Sequence, residues 1–188
     1  MIFLVGMMGA GKTSLGKTLA KQSGLPFLDT DAYIKVQTGQ SIPEIFSTKG
    51  EVAFRKMEEE CFHSLTPNAQ WIATGGGFPC FNDLMVKMKQ LGTVVYLKMT
   101  PEELNKRIQS VANRPLLQTS EPINELTRLL LERAEIYEMA DFVNEETEFR
   151  ALIRHGGDIN LLKRLIAAGF PVIVEKGYYE RDTTGKIS

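Results

Sequence analysis

The chain has 188 residues and a mass of 21.1 kDa, about one domain with a modest surplus at roughly 150 residues per domain. Hydrophobic residues make up 43% and charged residues 24%, which excludes a disordered chain, a coiled coil and a collagen-like rod. The net charge of −1 supplies no global basic field, so neither nucleic acid nor an anionic membrane is expected as a partner.

The predicted elements alternate between short β-like runs and helical patterns. IFLV (2–5) is a continuous apolar run, the mark of a strand buried on both faces. A helix starts at Lys12, carries Leu15 and Leu19 four apart, and stops at Gly24. LPFLD (25–29) reads as a second strand. Ser41 and Glu44 form a capping box that opens a short helix, and Phe54, Met57, Cys61 and Leu65 give helical spacing over 51–65. WIAT (71–74) is a third strand, ending in Gly75-Gly76-Gly77. Leu84, Met85, Met88 and Leu91 predict a helix over 82–91, followed by a strand at TVVYLK (93–98). Pro101 suits the first turn of a further helix. Residues 110–122, with Pro115 and Pro122, read as a loop, and 123–139 as a helix through Ile123, Leu126, Leu130 and Ala134. Strands alternating with helices imply a parallel sheet covered on both faces.

Gly6-Met7-Met8-Gly9-Ala10-Gly11-Lys12-Thr13 fits GxxxxGK[ST], lying between a predicted strand and a predicted helix. Backbone N–H groups of such a turn converge on an anion, and the positive end of the helix adds to the attraction. Lys12 is placed to reach the β- and γ-phosphates of a nucleotide, and the Thr13 hydroxyl to coordinate Mg²⁺. Gly9, Ala10, Gly11 and Ser14 complete the expected cradle.

The acceptor must be read from charged residues beyond strand ends, where open parallel sheets bind ligands. Asp29 and Asp31 close the second strand; Asp31 reads either as a helix N-cap or as a substrate ligand. Arg55 and Arg133 each read equally as a solvated helix ion pair or as a ligand-binding cation. Three glycines after a strand weaken it unless a backbone or ligand must approach closely. Arg114-Pro115 is either a loop cation or an arginine that closes over phosphates.

Together GMMGAGKTSLGK, DTD, FRKMEEE, TGGG, NRPLL and RAEIYEMAD resemble shikimate kinases, in order and at similar spacings over residues 1–143. The resemblance implies a nucleoside-monophosphate-kinase-like P-loop fold, a three-layer α/β/α sandwich whose parallel five-stranded sheet has the order 2-3-1-4-5. It further implies ATP-dependent phosphorylation of the 3-hydroxyl of shikimate, on the way to chorismate and the aromatic amino acids. By the same resemblance Asp31 binds the shikimate hydroxyls and orients or deprotonates the attacking one. Arg55 and Arg133, with the N–H groups of Gly76 and Gly77, hold the substrate carboxylate. Asp29 supports Mg²⁺ with Thr13, Arg114 is the lid arginine, and Arg107 stacks near adenine. A cytoplasmic monomer with ATP and shikimate as its small-molecule partners is expected.

Other residues carry no chemical expectation. Cys61 and Cys80 are too few for a disulfide scaffold and lack metal-ligand spacing; they read as buried small hydrophobes. His63 reads as structural or solvated, and Trp71 as a strand residue packed on a helix. No apolar run approaches the ~20 residues of a membrane span, and MIFLVGMM has no basic leader-like flank.

The resemblance does not cover residues 144–188. That stretch predicts a helix over about 158–168 and a strand over 171–176, and is similar to an internal piece of papain-like, bacteriocin-processing peptidases. Neither a catalytic Cys nor a catalytic His comes with that piece, so no peptidase activity is expected. Two other functions compete: a small-metabolite kinase of the gluconate type, and a nucleotide-binding module that lacks catalysis.

Overall fold

The structure is a computed structural model and describes residues 1–109, 122–145, 148–151 and 172–174. Among the described residues seven strands form one sheet in the order β2-β3-β1-β4-β5-β6-β7: β1 (Ile2–Val5), β2 (Phe27–Asp29), β3 (Trp71–Ala73), β4 (Thr93–Lys98), β5 (Phe142–Glu145), β6 (Glu148–Ala151) and β7 (Val172–Val174). The first five are parallel and take the expected 2-3-1-4-5 order. The two additional strands extend the β5 edge, β6 antiparallel to β5 and β7 parallel to β6. β7 falls within the strand expected over 171–176; the helix expected over 158–168 lies outside the described residues.

The helices are α1 (Lys12–Ser23), α2 (Thr30–Thr38), α3 (Ile42–Ser64), α4 (Leu84–Leu91), α5 (Pro101–Gln109) and α6 (Pro122–Tyr137), with a 3-10 turn at Phe78–Cys80. Several boundaries differ from the sequence reading for local reasons. The second strand ends at Asp29, whose side chain caps α2 by accepting from Ala32 N at 3.1 Å; Asp31 therefore lies inside the first turn and is not the cap. Asn82 and Asp83 have φ of 54° and 55°, a left-handed conformation these two residue types tolerate, so α4 begins at Leu84. Pro122 opens α6 instead of closing a loop, because a helix's first residue needs no N–H partner. The rest of the expected 110–122 loop lies outside the described residues.

Among the described residues two apolar clusters form the interior. The larger joins β1, β3 and β4 to the surrounding helices through Phe3, Leu4, Ile72, Val95 and Tyr137. The smaller packs Ile34 of α2 against Ile45, Phe54 and Cys61 of α3, with the Phe46 and Phe54 rings 4.8 Å apart. Gly50, at φ 80° and ψ 173°, breaks α3 into the capping-box helix and the longer helix that the sequence predicts as separate. The Ser41–Glu44 capping box is present, with Ser41 N donating to Glu44 Oε2 at 2.7 Å. Arg55 thus rides on an α2–α3 unit with its own core, set against the sheet.

Candidate active site

The P-loop follows from the backbone of its glycines. Gly6, Gly9 and Gly11 have φ of 134°, 87° and 91°, which side-chain-bearing residues rarely adopt, and they turn the chain from β1 into α1. Lys12 is buried and its Nζ donates to the carbonyls of Gly6 at 2.7 Å and Met7 at 2.9 Å, across the mouth of the turn. Arg107, exposed on α5, donates to Ala10 O at 3.3 Å, which puts its guanidinium on the loop's outer rim. Ser14 stands exposed in the first turn of α1.

Thr13 Oγ1 donates to Asp29 Oδ2 at 2.6 Å, joining the start of α1 to the end of β2. Two hard oxygen donors at a nucleotide's phosphate end suit Mg²⁺, which keeps several waters and takes its remaining ligands from phosphate. Among the described residues no group of three or more His, Cys, Asp or Glu forms a metal cage. Thr13 Oγ1 and Asp29 Oδ2 are a donor pair whose chemistry suits such an ion.

The second half of the site surrounds Gly75-Gly76-Gly77, where β3 ends. Gly75 N donates to Thr30 Oγ1 at 2.9 Å, which brings the start of α2 against the turn. A Cβ on Gly75 would stand 2.7 Å from Asp31 Oδ1 and 3.0 Å from Glu58 Oε1. One on Gly76 would stand 3.3 Å from Met8 N and 3.6 Å from Arg133 Nη1; one on Gly77, 2.6 Å from Arg55 Nη1. The glycines are thus the point on which Asp31, Arg55, Arg133 and the P-loop converge. Their lack of side chains is what permits it.

The comparisons with known proteins agree on one family. The family model of shikimate kinase matches residues 8–154. The chain belongs to the shikimate kinase family. Its similarity to the shikimate kinase of Thermodesulfovibrio yellowstonii is 43% identity over 142 residues, 75% of this chain and 82% of that one. With the Paracidovorax citrulli shikimate kinase it shares 40% over 161 residues, 82% of this chain and 88% of the relative. Among solved structures it superposes on the shikimate kinase of Acinetobacter baumannii, solved in complex with shikimate, with a TM-score of 0.74 and 38% identity, covering 88% and 89% of the two chains. A deoxyadenosine kinase from M. mycoides, at 15% identity and a TM-score of 0.50, shares the fold alone. The chain is accordingly a kinase, and neither the gluconate-type reading nor the non-catalytic module is favoured.

Within this shikimate kinase fold, all the predicted site residues but one are described: Arg114 lies outside the described residues. Sequence reasoning missed how much supports the arginines. Arg55 Nη1 donates to Glu58 Oε2 at 2.7 Å, its Nε and Nη2 donate to Glu51 Oε1 at 3.1 and 2.7 Å, and Phe81 stacks 3.9 Å from its Cζ. Glu58 is 1% exposed, and its Oε1 has no hydrogen-bond partner among the described residues. Burial pushes its carboxyl up to about 7, against the pull of Arg55 and with a further upward push from Asp31. The available signal was its spacing: Phe54, Glu58 and Cys61 share a buried helix face, an unusual place for a carboxylate.

Tyr137 is the other supporting residue. Fully buried and stacked on Tyr96 at 5.0 Å between ring centroids, it donates its hydroxyl to Gly76 O at 2.6 Å. Burial holds its phenol well above the usual range, so it stays a donor. Cys80, half-buried beside the arginines, is pushed up to about 11 by burial, against the pull of Arg133 and Arg55, and Cys61 to about 12. Neither thiol is nucleophilic at neutral pH. His63 is exposed, 3.8 Å from Glu59, and Trp71 donates to Ser23 Oγ on α1 at 3.0 Å.

Proposed function

We propose that the protein transfers the γ-phosphoryl group of ATP to the 3-hydroxyl of shikimate, giving shikimate 3-phosphate and ADP. The observation that carries this reading is the convergence of Asp31, Arg55 and Arg133 on Gly75–Gly77 beside the P-loop. A small cyclic acid with several hydroxyls needs forked guanidinium donors for its carboxylate and a carboxylate acceptor for a hydroxyl. Those groups stand at the acceptor end of a phosphate-binding loop.

In this reading Lys12, the N–H groups of Gly9, Ala10, Gly11, Thr13 and Ser14, and Arg107 hold the nucleotide. Arg114 neutralises the transferring phosphates, and Arg107 also lies against the base. Arg55, Arg133 and the N–H groups of Gly76 and Gly77 fix the acid. Asp31 accepts from the attacking hydroxyl, orienting its oxygen in line with the γ-phosphorus. The new O–P bond forms as the bond to the β–γ bridging oxygen breaks, and the hydroxyl proton passes to the Asp31 carboxylate. Positioning and charge neutralisation account for most of such a rate, so Asp31 need not be a strong base. Thr13 and Asp29 would hold Mg²⁺, which supplies charge neutralisation on the phosphate oxygens.

Residues 1–143 are read as the catalytic unit and 144–188 as an extension of it; the protein is read as a cytoplasmic monomer that uses neither nucleic acid nor membrane. Among the described residues no helix is long and apolar enough to cross a membrane. A coupled ADP-release assay with shikimate and Mg-ATP tests the activity: a shikimate-dependent rate far above that of Lys12→Ala is expected, and equal rates would overturn it.

A further inference from the structure

Every nitrogen of the Arg55 guanidinium is already engaged by a carboxylate of its own helix. The Nη1 corner is held by Glu58 and the Nε–Nη2 edge by Glu51 Oε1, while Phe81 covers one face. Three of the five N–H donors are used in this way, so an acid that takes the Nε–Nη2 edge must displace Glu51, and one that approaches from Nη1 meets Glu58. They are not equally displaceable. The Glu58 side chain is 1% exposed and locked under the Gly75 turn, whereas the Glu51 side chain is 55% exposed and follows the Gly50 break directly. Glu51 can rotate into water and leave the edge open; Glu58 has no such route.

We infer that Glu51 is an internal competitor for the substrate carboxylate, occupying the Nε–Nη2 edge of Arg55 until an acid with further anchoring contacts displaces it. The inference rests on the reading of Arg55 as the acid's seat. Its consequence is a raised threshold for occupancy. Every carboxylate faces the same displacement cost, so the ratio of affinities between two acids is unchanged. An acid held by Arg55 alone, however, binds too weakly to fill the site, whereas one that also reaches Arg133, Gly76–Gly77 and Asp31 still fills it.

The test measures KM for shikimate, at saturating Mg-ATP, in the wild type and in Glu51→Gln, Glu51→Asp and Arg55→Lys. Glu51→Gln is expected to lower KM about two- to fivefold, the scale of a partly exposed i,i+4 ion pair beside a half-buried arginine. Glu51→Asp keeps the charge but is one methylene too short to hold both nitrogens, so it too is expected to lower KM. Benzoate and cyclohexanecarboxylate, tested as inhibitors competitive with shikimate, are expected to gain potency in both variants. An unchanged or raised KM in Glu51→Gln overturns the inference, and so does a Glu51→Asp enzyme that matches the wild type, since charge and not occupancy would then matter. In either case an active wild type with a raised KM in Arg55→Lys leaves the shikimate kinase reading standing. A KM unaltered by Arg55→Lys overturns Arg55 as the acid's seat and the competitor role with it. No turnover by the wild type overturns the functional reading itself.

Discussion

Thr13 Oγ1 and Asp29 Oδ2 lie 2.6 Å apart, and through Asp29 that contact is shared with the start of α2, because the other oxygen of the same carboxylate caps the helix at Ala32 N. One side chain therefore ties the P-loop helix, the second strand and the helix that carries Asp31. Asp29 and Asp31, the carboxylates proposed for the metal and the substrate, are both positioned within the DTD segment by this arrangement.

The two duties of Asp29 separate under substitution. Asn caps a helix as well as Asp does, so Asp29→Asn should stay within about 0.5 kcal/mol of wild-type stability. It loses the charge that a divalent cation needs, and activity at low Mg²⁺ should fall by about tenfold or more. Asp29→Ala should lose the cap as well, at about 1 kcal/mol. Thermal melts beside Mg²⁺ titrations at fixed ATP check the pair; equal stability of the two variants would show that the cap carries no weight.

Tyr137→Phe removes the donor to Gly76 O and the hydrogen bond with Arg133, while keeping the ring stacked on Tyr96. A carbonyl left without its donor costs about 1–3 kcal/mol when fully buried, and in this part-buried turn the lower end, about 1 kcal/mol, applies. The same carbonyl belongs to the peptide that orients the Gly77 N–H, so KM for shikimate should rise together with the loss of stability. A denaturant melt and initial rates read both effects. A loss of stability with KM unmoved would confine Tyr137 to packing.

How much of this was legible in the sequence depended on range. The P-loop is local, and its glycines, Lys12 and Thr13 sit in consecutive positions that only one backbone path satisfies. The Ser41–Glu44 box is also local, and both of its halves form. FRKMEEE offers Arg55 a helix ion pair, but nothing in it tells which glutamate the fold buries. That choice is made by Gly75, 17 positions further along, whose missing Cβ leaves room for the Glu58 and Asp31 oxygens. α2 went unread for a related reason: its apolar face rests on α3 in the smaller cluster, and nine residues hold too few turns to show a period alone. β6, unlike β7, had no turn signal ahead of it, since only two residues separate it from β5.

Two glycines that differ in their neighbours should fail in different ways. A Cβ on Gly77 would press on Arg55 Nη1 at 2.6 Å, the end of a side chain that can give way at the expense of its site geometry. Gly77→Ala should therefore raise KM for shikimate severalfold with a stability change under about 1 kcal/mol. A Cβ on Gly92 would instead meet the backbone of Met1, whose carbonyl accepts from Thr93 N at 3.0 Å, and backbone cannot rotate aside. Gly92→Ala should cost about 1–3 kcal/mol, the range of overpacking, with KM unchanged. Melting curves and kinetics on the two variants check the crossover.

Glu58 should make stability depend on pH. Its carboxyl ordinarily titrates near 4.5, and burial, opposed by Arg55 and Arg133 and reinforced by Asp31, raises it to about 7 in the folded chain. Between those values the folded protein holds a proton that the unfolded chain has released. Stability from this group is therefore complete below about 4.5 and is lost as pH climbs through about 7, with a slope of at most about 1.4 kcal/mol per pH unit. Glu58→Gln cannot ionise and should lack this component, so its stability relative to wild type should increase from pH 5 to pH 8. Neighbouring Asp31, Arg55, Arg133 and Cys61 are present in both proteins, and the difference between the two profiles isolates position 58. Denaturant midpoints at pH 5, 6, 7 and 8 measure it; parallel profiles would mean that Glu58 enters the fold already ionised, held by Arg55.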